Sequence, residues 1–443
     1  MELLDKSILP QSAHHLMLLK YLLVITTLIF FTYTSILFGS LFFSLFFRRR
    51  GVRTGSRIDH RFAGELIDLV TFNKSVSFAL GVVPLLSSIF GYAQLLHLTN
   101  LNVPGYLLIS LIFLIIALIP IYIYKYTFHL NDIFVFAGGA GADQLMKSEI
   151  ENYGEKNSRL HSKSGFYGLL LLVVSTYFYA GTVVLAADTG RWNDGFWGLI
   201  FSASTFIHYL QFLAASASIT GPVVLFLLKG KSKEEADENY KAFVTSFSLK
   251  SGLIGSILFP ILITASLLLY PVNSLSFELF GVTAVAIILI LLVGVMFYFM
   301  IKESESRYSS LTVYLLVIVF GLLMIKDQFA FDTATRSHTA LLDAKYEEYA
   351  KKSEEGSGVA PAPVSGADIY NGRCIACHRF DVKLVGPPYK QTLPKYEGKM
   401  DELIKFILNP DKKNPDYPAM PNQGLKPNEA EAIAKYLMET YKK

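Results

Sequence analysis

Long runs of apolar residues separated by short polar segments make up most of the chain as far as residue 331. A hydrocarbon core of about 30 Å needs about 20 apolar residues in a helix, and eight of the runs meet this length. The first run has about thirty residues, so its helix must tilt or project beyond the bilayer. The predicted spans cover 17–47, 74–97, 104–127, 165–187, 196–228, 245–271, 277–301 and 308–327.

Composition agrees with an all-α membrane domain over residues 1–331. Hydrophobic residues make up 52% of the chain and charged residues only 17%, which is typical of a membrane protein. The first fifteen residues contain Asp5 and Pro10 and lack a basic region with a small-residue cleavage site, so we expect no cleavable signal peptide. No phosphate-binding loop, nucleophile triad or basic nucleic-acid patch is present in the sequence, and we expect no nucleic-acid partner.

Basic residues are concentrated in the odd-numbered connections between the spans. Because connections rich in Lys and Arg stay in the cytoplasm, both ends of the membrane domain are predicted to lie outside, in a bacterial inner membrane. The even connections have one basic residue, Arg191, and the odd ones carry Arg48, Arg49, Arg50, Arg53, Arg57 and Arg61, then Lys125, Lys147, Lys156, Arg159 and Lys163, then Lys229, Lys231, Lys233 and Lys241, and finally Lys302 and Arg307.

A polar region follows the last span. Residues 332–352 place Leu341, Leu342, Tyr346 and Tyr349 at helical spacing among charged residues, which predicts an amphipathic helix on the outer surface. Residues 353–366 are rich in Gly, Ser, Ala and Pro, which is typical of a flexible linker. The predicted organisation is therefore a membrane domain at 1–331, a surface helix and linker at 332–366, and a small domain at 367–443.

The only two cysteines of the chain stand in the sequence Cys374-Ile375-Ala376-Cys377-His378. Cys-x-x-Cys-His is the pattern of covalent haem attachment, in which each thiol bonds one vinyl group and the histidine binds the iron. A zinc site needs about four ligands, and no second Cys/His pair lies nearby. A thioredoxin-like site needs a βαβ context, which this region lacks.

Residues 367–443 resemble a class I cytochrome c. The resemblance rests on Tyr370 before the two cysteines, on Gly386-Pro387-Pro388, on Met420-Pro421 and on a last helix that contains residues 433–437. It implies an all-helical electron carrier with one haem edge exposed. It also implies that the carbonyl of Pro387 or Pro388 accepts the Nδ1 proton of His378.

Met420 is the predicted sixth ligand of the haem iron, because a thioether opposite a histidine is a known ligation that raises the reduction potential. Two other methionines compete with it. Met438 lies among helix positions with the spacing of a core face, which favours packing. Met400 precedes the start of a helix at Asp401, which favours a boundary position.

Histidines in the membrane domain are candidate haem b ligands. His208 lies eleven residues after Trp197, about 16 Å along a continuous helix, and an ionisable residue at such depth is a functional candidate. The alternative is a histidine bonded to a serine or a carbonyl. Two interpretations apply to His14 and His15 at the start of span one and to His97 at the end of span two. These histidines hold a second haem b, or they are only hydrated.

The remaining cytoplasmic-side histidines, His60, His129 and His161, are expected to be solvated. Lys326 and Asp327 near the end of span eight admit two interpretations. They line a quinol headgroup site with His15 or Lys20, or they form an ion pair at a helix end.

The membrane domain resembles subunit I of cytochrome bd-type quinol oxidases at residues 78–83, 206–208 and 225–231. The resemblance implies quinol oxidation near the outer face, with His208 binding one haem b and His14 or His15 another. The long quinol-binding loop of that family has only residues 271–276 in its place. This departure favours relay of electrons to the fused haem c over reduction of oxygen.

Three functions are compatible with these features. The first is a respiratory quinol:cytochrome c-type oxidoreductase, or a subunit of one, that passes electrons through haem b to haem c and on to a redox partner protein. The second is a membrane oxidoreductase of another substrate with haem c as its acceptor. The third is a haem-free membrane anchor, a partner subunit or homo-oligomer component that tethers a cytochrome c.

Overall fold

The computed structural model describes residues 10–99, 101–139, 144–228, 238–303, 307–356, 365–412, 417–418 and 420–442. Within these ranges the chain is all-α and forms no strand. It divides into two compact units, Met1–Tyr346 and Glu347–Lys443.

The first unit is a bundle of long helices, as the apolar runs predicted. Eight helices of the described ranges are long and apolar enough to cross a membrane. Span two includes one π-helical turn, Phe78–Val82, and short 3₁₀ turns lie at Thr189–Arg191 and Val272–Ser274. The helices are α1 Ala13–Thr54, α2 Arg57–Val70, α3 Lys74–Leu95, α4 Val103–Gly139, α5 Gln144–Ala186, α6 Gly195–Ile200, α7 Ala203–Leu228, α8 Glu238–Leu268, α9 Phe277–Glu303, α10 Ser309–Ala334 and α11 Arg336–Gly356.

Three helices are much longer than the predicted spans. α1 has 42 residues, α4 has 37 and α5 has 43, so at 1.5 Å per residue each exceeds a hydrocarbon core of about 30 Å. The basic residues Lys125, Lys147 and Lys156, expected in a connection, therefore lie on helices that extend beyond the apolar layer. Since α4 and α5 pack together as an antiparallel pair, pairing supports these polar extensions.

α1 is the central helix of the bundle, because it contacts α2, α3, α5, α7 and α10. Many hydroxyl groups inside the bundle bond to carbonyls, which pairs them within an apolar medium. Thr34 Oγ1 donates to the Phe30 carbonyl at 2.7 Å within one helix. Ser110 and Ser175 each donate to the other's carbonyl at 2.8 Å, which joins α4 to α5.

α7 and α8 approach closely because small residues line their contact. A methyl group on Gly221 would overlap the carbonyl oxygen of Ser248, and one on Gly255 would overlap the backbone of Ser218. Ser251 Oγ donates to the Ala217 carbonyl across the same contact at 2.9 Å. Close approach through small residues is the usual basis of helix association in membranes, where lipid is as apolar as the side chains.

The region after the last span is helical, as predicted for 332–352. α11 begins at Arg336, and Leu342 is buried in the core of the first unit, whereas Leu341 and Tyr349 are exposed. Residues 357–364, the greater part of the predicted linker, lie outside the described residues, as do Lys229, Lys231 and Lys233 of the fifth connection.

The second unit consists of short helices around its own core. α12 Gly366–Ile369 continues as a π-helical turn Tyr370–Cys374, and α13 Tyr389–Thr392, a 3₁₀ turn Pro394–Tyr396, α14 Met400–Leu408 and α15 Pro427–Thr440 follow. A methyl group on Gly366 would overlap Ala432 and Tyr436, so α12 crosses α15 at this glycine. The predicted apolar face of α15 is confirmed, because its buried residues are Ala430, Ile433, Ala434 and Leu437.

We expect Gly221→Ala to destabilise the bundle by about 1–3 kcal/mol, because the added methyl group meets backbone that cannot rotate away. The measurement is the thermal unfolding midpoint of the detergent-solubilised full chain. Gly281→Ala is the matched control, since a methyl group there meets open space and alanine favours a helix by about 1 kcal/mol. Equal midpoints for the two variants would contradict the close-contact interpretation.

Candidate haem-binding site

The Cys-x-x-Cys-His segment is folded as a compact turn. The π-helical turn closes with the Ile375 amide donating to the Tyr370 carbonyl at 2.9 Å, and the His378 amide then donates to the Cys374 carbonyl at 2.9 Å. Cys374 is buried and Cys377 is half-buried. Burial raises the pKa of the Cys374 thiol, so this thiol is protonated at neutral pH before haem attachment.

His378 is held by the Gly-Pro-Pro segment. Its Nδ1 lies 3.0 Å from the carbonyl oxygen of Pro387, and a carbonyl only accepts, so Nδ1 carries the proton. The bond expected with Pro387 or Pro388 is therefore made by Pro387. The neutral ring then presents the lone pair of Nε2, which is the form that binds iron.

Two neighbours fix the plane of the His378 ring. Tyr389 stacks on it with a centroid distance of 5.0 Å and an interplanar angle of 20°. Gly386 lies against the ring so closely that a methyl group there would come within 2.6 Å of Nδ1. The amide of Gly386 in turn donates to the Cys377 carbonyl at 2.9 Å, which ties this segment to the two cysteines.

A cavity of about 490 Å³ opens beside these residues. This volume lies in the range of cofactor sites, about 300–1,000 Å³. Both cysteines and His378 share the cavity with apolar side chains from α14 and α15 and with Met420; its lining includes Cys374, Cys377, His378, Leu403, Ile407, Met420 and Leu437. The donor set and the cavity together fit a covalently attached haem, which supplies a one-electron iron couple when bound.

Met420 lies on this cavity, whereas neither rival methionine lines it. Met438 packs on the core of the second unit, as its helical spacing predicted. Met400 is the first residue of α14 and is 37% exposed. Arg373 Nη1 donates to the Gln423 carbonyl at 2.9 Å, which holds the loop of Met420 near the cysteines. Ligation of iron by Met420 remains a prediction that this placement supports.

Known proteins are similar to the second unit. The family model described as Cytochrome c matches residues 364–440. Cytochrome c-551 of Pseudomonas aeruginosa is 34% identical over 71 residues, which cover 15% of this chain and 68% of that protein. Cytochrome c-551 of Pseudomonas denitrificans is 30% identical over 78 residues, which cover 17% of this chain and 95% of that protein.

The chain belongs to the cytochrome c family. The membership rests on the second unit, referred to below as the cytochrome c unit, and it implies a covalently bound haem c and a function in electron transfer. The family model covers residues 364–440, which lie outside the first unit. The resemblance of the first unit to subunit I of bd-type oxidases therefore stays a prediction.

The candidate haem b ligand His208 lies at a different depth from the one expected. Helix α6 ends at Ile200 and α7 begins at Ala203, so Trp197 and His208 are not on one continuous helix. His208 is five residues into α7, about 8 Å from its start. The expectation of about 16 Å was wrong, because the chain turns at Phe201 and Ser202 instead of continuing as a helix.

His208 is buried beside polar side chains. Its Nδ1 lies 2.8 Å from the Ser204 carbonyl, and its Nε2 has no hydrogen-bond partner among the described residues. Tyr270 stands edge-on to the ring at 5.5 Å. Asp327 Oδ1 accepts from the Tyr270 hydroxyl at 2.7 Å and lies 3.0 Å from Lys326 Nζ. Sequence reasoning missed Tyr270, which lies just after the end of α8 and carries no motif.

The other candidate ligands are distributed at one end of the bundle. His14 is exposed. His15 Nε2 lies 3.2 Å from Gln94 Oε1 on span two, which brings α1 and α3 together as expected. His97 is half-buried and its backbone contacts His338. Binding of a haem b by His14, His15 and His97 stays a prediction.

The expectation of solvated cytoplasmic-side histidines was wrong for His161. This side chain is buried, its Nδ1 lies 2.9 Å from Thr127 Oγ1, and its ring stacks on Tyr124 at 4.2 Å. The α4–α5 pair encloses it because both helices extend past the apolar layer. His129 is exposed and lies 3.0 Å from Asp68, so solvation holds there.

We expect Met420→Ala to remove the sulfur-to-iron near-infrared band and to lower the reduction potential of haem c, because a thioether ligand raises that potential. The measurements are the near-infrared spectrum and a redox titration of the purified full chain. Met400→Ala is the matched control and should leave both unchanged. A retained band in Met420→Ala would exclude Met420 as a ligand.

We expect Gly386→Ala to displace the His378 ring and to destabilise the cytochrome c unit by about 1–3 kcal/mol, the usual cost of overpacking. The readout is the thermal midpoint followed at the haem absorption band. Gly372→Ala serves as control, because a methyl group at Gly372 meets nothing within 4 Å. If the two midpoints agree, Gly386 does not position the ring.

Proposed function

We propose that the chain is a membrane-bound respiratory cytochrome that takes electrons from membrane quinol and passes them through haem c to an external acceptor. The observation that carries the proposal is the continuity of one chain from eight apolar helices into a unit with a haem-binding cavity. A haem fixed to a membrane protein has a lipid-soluble donor at hand, and quinol is the two-electron carrier of that phase.

The orientation that we propose places the cytochrome c unit on the outer side of a bacterial inner membrane. It is supported by basic residues at the end of α1, such as Arg53, and near the start of α5, such as Lys147. Connections with an excess of Lys and Arg remain in the cytoplasm. The start of α1 and the end of α10 then lie outside, from where the chain continues into α11.

A haem b relay between quinol and haem c is the alternative to direct transfer of electrons from quinol to haem c. The buried Nε2 of His208 supports it, since a lone pair left without a partner in an apolar span costs free energy. The side chains near this nitrogen are Tyr270, Lys326 and Asp327. None of these three is a histidine or methionine that would be the second axial ligand of a haem b. A pyridine haemochrome assay of the wild type, which counts haem b and haem c separately, tests the relay.

The external acceptor is proposed to be a redox protein that docks at the exposed haem edge. Three basic residues, Arg373, Lys395 and Lys412, and one acidic residue, Asp411, lie at the haem cavity, so this excess of positive charge favours an acidic partner surface. Such steering changes the association rate and weakens with salt.

We expect a short-chain benzoquinol or naphthoquinol to reduce haem c in the purified full chain without oxygen. The measurement is the rise of the reduced haem c absorption band after mixing. Cys374→Ala with Cys377→Ala is the control that removes the covalent haem and should remove the band. Dithionite provides the positive reference. Haem c that is reduced by dithionite but by neither quinol would refute the proposed donor and would favour oxidation of another substrate or an anchor role.

A further inference from the structure

A cluster of four polar side chains is buried near one end of the first unit, Met1–Tyr346, which is called the membrane unit below. It comprises His208 on α7, Tyr270 after α8, and Lys326 and Asp327 on α10, and below it is called the outer polar cluster. Lys326 is 1% exposed, Tyr270 is 7% exposed and His208 is 8% exposed. Ionisable residues inside membrane spans are rare and mark sites of ligand binding or proton transfer.

In the ion pair of the cluster, Asp327 accepts a further hydrogen bond, whereas Lys326 has no hydrogen-bond partner among the described residues. Asp327 Oδ1 receives the Tyr270 hydroxyl at 2.7 Å and lies 3.0 Å from Lys326 Nζ. The ammonium also lies 5.1 Å from the centre of the Tyr270 ring, a cation–π contact. Lys326 Nζ nevertheless makes no hydrogen bond of good geometry within the described residues, and Asp327 contacts Tyr270 and Lys326 through Oδ1 alone.

Helix α7 and one further helix, α5, contribute two more buried polar atoms that lack a partner among the described residues. Gln211, one turn after His208 on α7, leaves Oε1 without a donor, and the Tyr179 hydroxyl on α5 has no partner. With His208 Nε2 and Lys326 Nζ they give two acceptors and two donors. Buried polar groups are almost always paired, and in an apolar medium the cost of leaving them unpaired is several kcal/mol, so a polar ligand is expected.

The position of the cluster suits a lipid-soluble ligand with a polar head. Asp327 is seven residues before the end of α10, about 10 Å along the helix, and His208 is about 8 Å from the start of α7. Tyr270 follows α8 directly. The start of α7, the end of α8 and the end of α10 lie on the same side of the bundle as the start of α1. The cluster therefore lies about two helical turns inside the bundle from that side.

We propose that the outer polar cluster binds the headgroup of quinol and accepts its protons. The inference rests on the proposed function and names the site of that reaction. Because Nδ1 of His208 donates to a carbonyl, Nε2 is an acceptor for one quinol hydroxyl, and Oδ2 of Asp327 is an acceptor for the other. Lys326 Nζ and the Tyr179 hydroxyl are donors that match the carbonyl oxygens of the quinone product.

Oxidation of quinol at this site balances in protons and electrons when the external redox protein is the final electron acceptor. Quinol breaks two O–H bonds and becomes quinone, and the two protons pass to His208 Nε2 and to the Asp327 carboxylate. Haem c, which Cys374, Cys377 and His378 would hold, would take the two electrons one at a time, since the external acceptor would remove each electron from it in turn. Lys326 compensates the charge of Asp327 before the proton arrives.

The first test measures binding of oxidised short-chain benzoquinone to the purified full chain by calorimetric titration, which needs no turnover. We expect His208→Leu to weaken binding at least tenfold, since leucine fits the apolar surroundings but offers no acceptor. His129→Leu, at the exposed opposite end, is the matched control and should bind as the wild type does. Equal affinities of wild type and His208→Leu would overturn the site.

The second test follows haem c reduction by the quinol. Asp327→Asn keeps the shape of the side chain but cannot take a proton, and we expect its rate to fall about 10²-fold, as for loss of a general base. Asp68→Asn is the control. Thermal midpoints show whether each variant is folded, and reduction by dithionite shows whether haem c is intact. Unchanged rates in both His208→Leu and Asp327→Asn would overturn the proposal and indicate that only water occupies the cluster.

The outcomes separate this site from the proposed function. If no quinol reduces the wild type, the proposed function fails regardless of the variants. If quinol reduces all variants equally, the function stands and the site is wrong. If the haemochrome assay shows haem b in the wild type and its loss in His208→Leu, haem b is the occupant of His208 and the quinol site is overturned.

Discussion

The need to pair every polar group inside an apolar medium governs the membrane unit. Backbone groups are paired within each helix, which is why apolar runs become helices and not strands. The same need accounts for the threonine hydroxyls bonded to carbonyls of the preceding turn and for the reciprocal bonds of Ser110 and Ser175. Side chains that escape this pairing are candidates for contact with a ligand, and two of them, His208 and Lys326, belong to the outer polar cluster.

The two buried histidines of the spans show how this constraint separates structure from function. His161 is bonded to Thr127 and stacked on Tyr124, so its surroundings account for it without a ligand. His208 has one nitrogen bonded and the other unpaired beside charged side chains. The difference indicates a ligand contact at His208 and none at His161, although both side chains are buried.

The cytochrome c unit obeys a different constraint, because it is small and has a limited core. Its helices pack around Tyr370, Leu393, Leu403, Ile433 and Leu437, with a cavity open on the side of the cysteines. A domain of this size buries too little surface to be very stable alone, so a covalent haem adds apolar contact area to the core. The contacts of His378 with Pro387, Gly386 and Tyr389 fix the orientation of its ring without a contribution from iron.

The sequence by itself determined the helical class, the eight apolar runs and the haem attachment site, because these depend on local periodicity and on covalent chemistry within five residues. The resemblance of residues 367–443 to class I cytochromes c also implied that Pro387 or Pro388 accepts the proton of His378, and the structure shows Pro387. Only the tertiary structure decided that the helix breaks before Ala203, that α4 and α5 extend past the apolar layer, and that Tyr270 meets Asp327. These features depend on contacts between different helices. The periodicity of one helix carries no information on which side chains a neighbouring helix places against it.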